Sequence, residues 1–139
     1  MSSRRYVLDT SAVVALMEDE GGADEVELLL EAEGAVVLPF AVLLEVYYVS
    51  RREKGELLAE RRYLMMRELG AEIIWGMDEA TLLTAGRLKA SYRLSLADAV
   101  IAACAIRRNA TLVHKDPEYE ALASEVSLET LPYKTASRG

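Results

Sequence analysis

Short apolar runs alternate along the chain with longer segments in which apolar residues recur every three to four positions. Five runs have the length and β-branched or aromatic character of strands: Tyr6 to Leu8, Val36 to Leu38, Glu72 to Trp75, Thr111 to His114 and Ser127 to Leu131. Between them the helical period predicts helices over about 10–18, 22–33, 39–53, 56–69, 78–92 and 96–108. Punctuation falls at the boundaries: Pro39 suits a first helical turn, Gly55 and Gly70 suit stops, and Ser95 is a good N-cap. Strand–helix–strand order predicts a three-layer α/β/α fold whose mostly parallel sheet holds four to five strands. No repeat, low-complexity segment or linker interrupts the pattern. Residues 1–133 therefore read as one domain and 134–139 as a flexible C-terminal tail.

Four acids break this pattern where a charge is costly. Asp9 ends the run Tyr6-Val7-Leu8, and Glu45 is the only charge between Leu38 and Val49. Asp98 interrupts Leu94 to Ile106, and Asp116 follows the Thr111-Leu112-Val113 strand. A buried carboxylate needs a cation or dedicated donors. In an open parallel sheet the functional crevice lies beyond the carboxyl ends of the strands. Asp9 and Asp116 fall just past strand ends, Asp98 in a first helical turn, and Glu45 in the second turn of the helix after Val36 to Leu38. One sheet edge can hold all four, as an oxygen cage for a hard divalent cation.

Each acid also has a local reading. Asp9 alone reads equally well as the N-cap of the following helix. Asp98 stands three residues after Ser95, close to a capping box. Asp116 before Pro117 looks like an ordinary turn or helix start. Glu45 differs, because its helical neighbours are Ala41, Val42, Tyr48 and Val49, and capping does not explain a mid-helix acid.

The net charge of -7 argues against a nucleic-acid substrate until it is mapped. Of 23 acids, eight lie within residues 18–33, leaving 15 against 16 basic residues elsewhere, a balance of +1. The acidic segment reads as a solvated helix face, and with four carboxylates neutralised by metal the remainder becomes basic. The single cysteine, Cys104, excludes an intramolecular disulfide and a cysteine-rich zinc site, and it reads as core. Arg4-Arg5 before Val7-Leu8 looks like the start of a signal peptide, but Asp9 cuts the apolar region short. With no stretch fit to span a bilayer, the expected location is the cytoplasm.

The segments that carry the acids resemble a known family. Val7-Leu8-Asp9-Thr10-Ser11, Leu44-Glu45-Val46, Leu94-Ser95-Leu96-Ala97-Asp98-Ala99 and Leu112-Val113-His114-Lys115-Asp116-Pro117 resemble the four motifs of PIN-domain ribonucleases, above all the VapC-type toxins of toxin–antitoxin pairs. Each motif is short, but the four occur in order across nearly the whole chain. The resemblance implies an acidic quartet, Asp9, Glu45, Asp98 and Asp116, that binds Mg²⁺ or Mn²⁺ and is catalytic, with Asp9 and Asp98 the foremost direct ligands. Thr10 or Ser11 matches a hydroxyl position that binds a ligand or orients the first carboxylate, and Ser95 and Glu118 are further supporting candidates. His114 departs from the family's small hydroxyl residue two places before the last acid, and Glu118 is placed to substitute in part for Asp116. The resemblance further implies an RNA substrate, a small cognate antitoxin and a homodimer.

The residue types fit this chemistry independently. A carboxylate-held metal activates water at neutral pH and offsets transition-state charge, so in-line attack leaves a 5′-phosphate and a 3′-hydroxyl. A metal-free ribonuclease needs imidazoles or similar acid-base partners, and the chain has one histidine, which reads as strand-end packing. Arg51, Arg52, Lys54, Arg61, Arg62, Arg67, Arg107 and Arg108 form an unspecific basic track, equally explained by helix dipoles, and Tyr47, Tyr48 and Tyr63 are base-stacking or packing residues. A receiver domain usually pairs acids after its first strand, and a haloacid-dehalogenase-type phosphatase needs Asp two beyond Asp9, where Ser11 stands. The remaining alternative is a catalytically silent RNA- or protein-binding module. Two carboxylates roughly 5 Å apart repel by about 3 kcal/mol at an effective dielectric of about 20, so a pure scaffold gains by losing them.

Overall fold

The computed structural model describes residues 4–134. Five strands form one sheet: β1 (Tyr6–Leu8), β2 (Val36–Pro39), β3 (Glu72–Ile74), β4 (Thr111–His114) and β5 (Leu128–Thr130). The spatial order is β3-β2-β1-β4-β5, and every neighbouring pair is parallel. Successive residues of a strand face opposite sides of a sheet. Val7 and Leu8, Val36 to Leu38, and Leu112 and Val113 are all buried, so both faces of the central strands are covered. This is the three-layer α/β/α arrangement the alternating pattern predicts.

The helices are α1 (Thr10–Met17), α2 (Ala23–Glu31), α3 (Phe40–Lys54), α4 (Glu56–Arg67), α5 (Glu79–Ser91) and α6 (Leu96–Arg107). Boundary residues act much as their chemistry dictates. Pro39 closes β2 and caps α3, Gly55 at φ 99° lets α3 turn directly into α4, and the Ser95 side chain accepts the Asp98 amide. A 3-10 turn, Pro117–Leu122, follows β4 and was not expected from periodicity. Six residues make too short a window for the helical signal. Lys134 is described; residues 135–139 of the expected tail lie outside the described residues.

Strand order places the site. The chain builds β1, β2 and β3 outward in one direction, then returns to lay β4 and β5 on the other side of β1. The loops leaving β1 and β4 therefore diverge, the switch point where open α/β sheets form a crevice. Register puts Leu8 opposite Val113, and the Asp9 amide donates to the Val113 carbonyl at 3.1 Å, so Asp9 and the segment after His114 start side by side. Only three residues separate α6 from β4, which makes α6 run back along the sheet and begin at that same carboxyl edge.

Candidate active site

A cavity of about 470 Å³ at this edge is lined by Asp9, Thr10, Ser11, Glu45, Asp98, Lys115 and Asp116, with Glu20, Tyr133 and Lys134 at its side. All four acids singled out from sequence thus reach one space, from β1, α3, α6 and the end of β4. Carboxylate oxygens of Asp98, Asp116 and Glu118 lie within 4.8 Å of one another. Asp9 and Glu45 line the cavity without belonging to that cluster.

The local readings of Asp9 and Asp116 hold, and they are compatible with a place in the cavity. Asp9 caps α1 by accepting the Ala12 amide at 2.8 Å, and Asp116 caps the 3-10 turn by accepting the Glu118 amide at 2.9 Å. A cap's side chain sits at a helix start, and here each of these helix starts faces the crevice. Capping fixes the carboxylates rather than competing with a site role. Asp98 lies in the first turn of α6, its amide held by Ser95 Oγ at 3.1 Å.

The hydroxyl residues divide their work. Ser11 Oγ donates to both carboxylate oxygens of Asp9 at 2.8 Å, while accepting the Lys115 amide at 2.8 Å. Thr10 Oγ1 donates to Oε1 of Glu45, so adjacent residues of one motif hold two different acids. Glu45 is half-buried, as its apolar helical neighbours suggest.

His114 is fully buried and functions as a structural ring. Its Nδ1 accepts the Asp116 amide at 3.1 Å, which leaves the proton on Nε2, 3.1 Å from Thr130 Oγ1. Burial lowers its pKa, keeping it neutral. The imidazole thereby shapes the turn that carries Asp116, accepting a backbone amide as a hydroxyl at that position would.

Tyr119, which sequence reasoning missed, is fully buried beneath the cluster and donates to Asp98 Oδ1 at 2.9 Å. Its ring meets His114 edge-on, with centroids 5.1 Å apart. The signal was available as one aromatic residue in the polar stretch after Asp116. Cys104 is buried and free, as a core residue. Part of the basic track is committed elsewhere: Arg51 pairs with Glu56, Arg62 with Glu18 and Ser50, and Arg52 and Arg67 stack over Tyr48 and Trp75. Tyr47 and Tyr63 pack edge to face at 6.1 Å.

The electrostatics are those of an uncompensated acidic site. No Lys or Arg nitrogen forms a salt bridge with any of the four acids among the described residues. Burial pushes the Asp9 carboxyl, 3% exposed, up to about 7 against the lowering effect of the Ala12 amide and Ser11 hydroxyl, and the charge on Asp98 adds to the rise. Burial raises Asp98 as well, opposed by the Tyr119 hydroxyl and reinforced by Glu45 and Asp116. A hard divalent cation is what such a set of oxygens accommodates: carboxylates from several elements, one nearly buried, and none spent on an ion pair.

The PIN domain family matches residues 6–125. No curated protein matches the chain by sequence. Among solved structures, the chain is similar to that of VapBC2 from Rickettsia felis bound to a promoter DNA fragment, with TM-score 0.74 and 22% identity over 91% of this chain and 98% of that one. DNA-bound VapBC from Salmonella typhimurium gives TM-score 0.71 and 17% identity over 92% and 98%. VapC20 of Mycobacterium tuberculosis, a toxin that cleaves the sarcin-ricin loop, gives 0.70 and 17% over 91% and 99%. At these identities the structures speak for the fold, and the family match covers most of the chain. The strand order, the crevice at its switch point and that match together make this chain a member of the PIN domain family.

Proposed function

We propose that this protein is a divalent-metal-dependent endoribonuclease, the toxin of a toxin–antitoxin pair. The observation that carries the reading is one cavity holding Asp9, Glu45, Asp98 and Asp116, with no cationic side chain among the described residues paired to any of them. In this reading the four acids hold Mg²⁺ or Mn²⁺, with Glu118 beside Asp98 and Asp116 as a further oxygen donor. When bound, the ion supplies Lewis-acid activation of water and neutralises charge developing on the phosphoryl oxygens.

The chain's own residues perform the rest. Ser11 and the α1 amide fix Asp9, Thr10 fixes Glu45, Ser95 and Tyr119 fix Asp98, and His114 sets the turn of Asp116. Such a shell holds donors near their productive geometry before substrate arrives. Water attacks phosphorus in line, the bond to the 3′-oxygen breaks, and the products carry a 5′-phosphate and a 3′-hydroxyl. The solved toxin–antitoxin complexes of similar fold support a cognate antitoxin for this chain too, and the homodimer rests on the family resemblance alone. Among the described residues no helix is long and apolar enough to cross a membrane.

The test is cleavage of a defined single-stranded RNA with Mn²⁺, Mg²⁺ or EDTA, with product ends read by mass spectrometry. Cleavage only with metal, leaving 5′-phosphates, is expected. RNA that stays intact while still bound would support the silent binding module instead.

A further inference from the structure

The cavity that holds the carboxylates also holds a cationic side that sequence reasoning did not find. Lys115 and Lys134 line it together with Glu20. Glu20 bridges the two lysines, with Oε1 3.4 Å from Lys115 Nζ and Oε2 2.9 Å from Lys134 Nζ. The lysines differ sharply in setting: the Lys115 side chain is 5% exposed and that of Lys134 72%.

An ammonium that enclosed is costly unless well paired. Lys115 has three donors, and its one salt bridge among the described residues is a long contact to a carboxylate that a second lysine holds more closely. Two lysines against one glutamate leave this side of the cavity with one positive charge. Its position is also fixed. The Lys115 amide donates to Ser11 Oγ, the same atom that donates to Asp9, so one serine couples the lysine's backbone to the first acid. Residue 115 sits between the buried His114 and the capping Asp116, which leaves its backbone little freedom.

A polyanion entering a crevice of carboxylates needs a fixed cation beside them. We propose that Lys115 binds a phosphate of single-stranded RNA at this site, and that Glu20 holds its ammonium only until the phosphate displaces it, with Lys134 then taking the Glu20 charge. The assignment rests on the nuclease reading given above. It differs from an unspecific basic track because it places one enclosed lysine in the cavity itself.

The experiment measures binding of a fluorescent single-stranded RNA to Asp98→Asn protein, which lacks the proposed cleavage, across a salt series. Each phosphate contact on single-stranded nucleic acid contributes about 0.7 to the slope of log affinity against log salt. Lys115→Gln added to that background is expected to weaken binding several-fold and lower the slope by about 0.7. In the otherwise wild-type chain, Lys115→Gln should not weaken Mn²⁺ binding by calorimetry. Lys115→Arg should restore the slope, and Glu20→Gln, which removes the competing carboxylate, should tighten RNA binding; this second comparison stands if Lys115→Gln does not fold. Unchanged slope and affinity in Lys115→Gln overturn the assignment alone, as does an equal loss of Mn²⁺ affinity, which marks a merely structural lysine. Failure of the Asp98→Asn parent to bind RNA at all overturns the nuclease reading together with it.

Discussion

The hydroxyl of Tyr119 donates to Oδ1 of Asp98 at 2.9 Å, joining the 3-10 turn after β4 to the first turn of α6. The donor is fully buried, and its pKa is driven well above the usual tyrosine value by burial, with the charges on Asp9 and Asp98 adding to the rise. Tyr119 therefore keeps its proton and shares it in a hydrogen bond with one oxygen of Asp98. That hydrogen bond holds the carboxylate in one orientation.

Tyr119→Phe preserves the ring and its edge contact with His114 while deleting that donor. A hydrogen bond to a charged group is worth about 1.5–3 kcal/mol, so loosening Asp98 should weaken Mn²⁺ binding by about tenfold or more. Titration calorimetry on the folded variant measures this. Wild-type affinity would show that Tyr119 is packing alone.

Asp98→Asn separates site from cap. Ser95 supplies the cap of α6 by accepting the Asp98 backbone amide, so replacing the Asp98 carboxylate leaves the cap intact. The variant should fold, melt at or above the wild-type temperature without metal, and lose RNA cleavage by at least about a hundredfold, the scale of losing a central electrostatic group in an active site. EDTA-sensitive cleavage at a rate near wild type would remove Asp98 from the reaction.

Much of this was legible locally and some of it was not. Helix and strand existence followed from periodicity, and the ends followed from Pro39, Gly55 and Ser95, because these act on their immediate neighbours. The four acids were visible because each interrupts an apolar run. Glu20 was hidden: seven of the eight acids in residues 18–33 are exposed, as the solvated-face reading expects, and only this one turns into the cavity. Its partner Lys115 is 95 positions away, and no local pattern reports a contact formed by chain reversal at a switch point. Tyr119 escaped for the same reason, since its hydroxyl finds Asp98 on another element.

Asp9 makes metal-free stability depend on pH. Its folded-state pKa of about 7 lies above the unfolded value of 3.8, so between those values the folded protein binds the extra proton and stability falls as pH rises. A rise of about three units corresponds to roughly 4 kcal/mol, as an upper bound for this one group. His114, lowered by burial, acts oppositely, losing stability as pH falls, so the Asp9 contribution is best read by difference. Asp9→Asn keeps the α1 cap and has no charge to lose. In metal-free buffer its melting temperature should exceed that of the wild type by a margin that opens from about pH 4 to about pH 7 and is constant above. A margin independent of pH would mean that the Asp9 carboxyl is not held protonated by burial.

Repulsion between Glu45 and Asp98 predicts how metal and Glu45 act together. A cation that binds only the folded state stabilises it by mass action, about 2.7 kcal/mol at a hundredfold excess over its dissociation constant, so millimolar Mn²⁺ should raise the melting temperature by several degrees. Glu45→Gln keeps an oxygen for the Thr10 hydroxyl to donate to and removes one charge that raises Asp98. The apo variant should melt above the apo wild type, and its shift on adding Mn²⁺ should be smaller. Calorimetry with and without the ion tests both at once. A Glu45→Gln protein that is less stable than wild type without metal, yet gains as much from Mn²⁺, would place Glu45 outside the shared acidic site despite its position in the cavity wall.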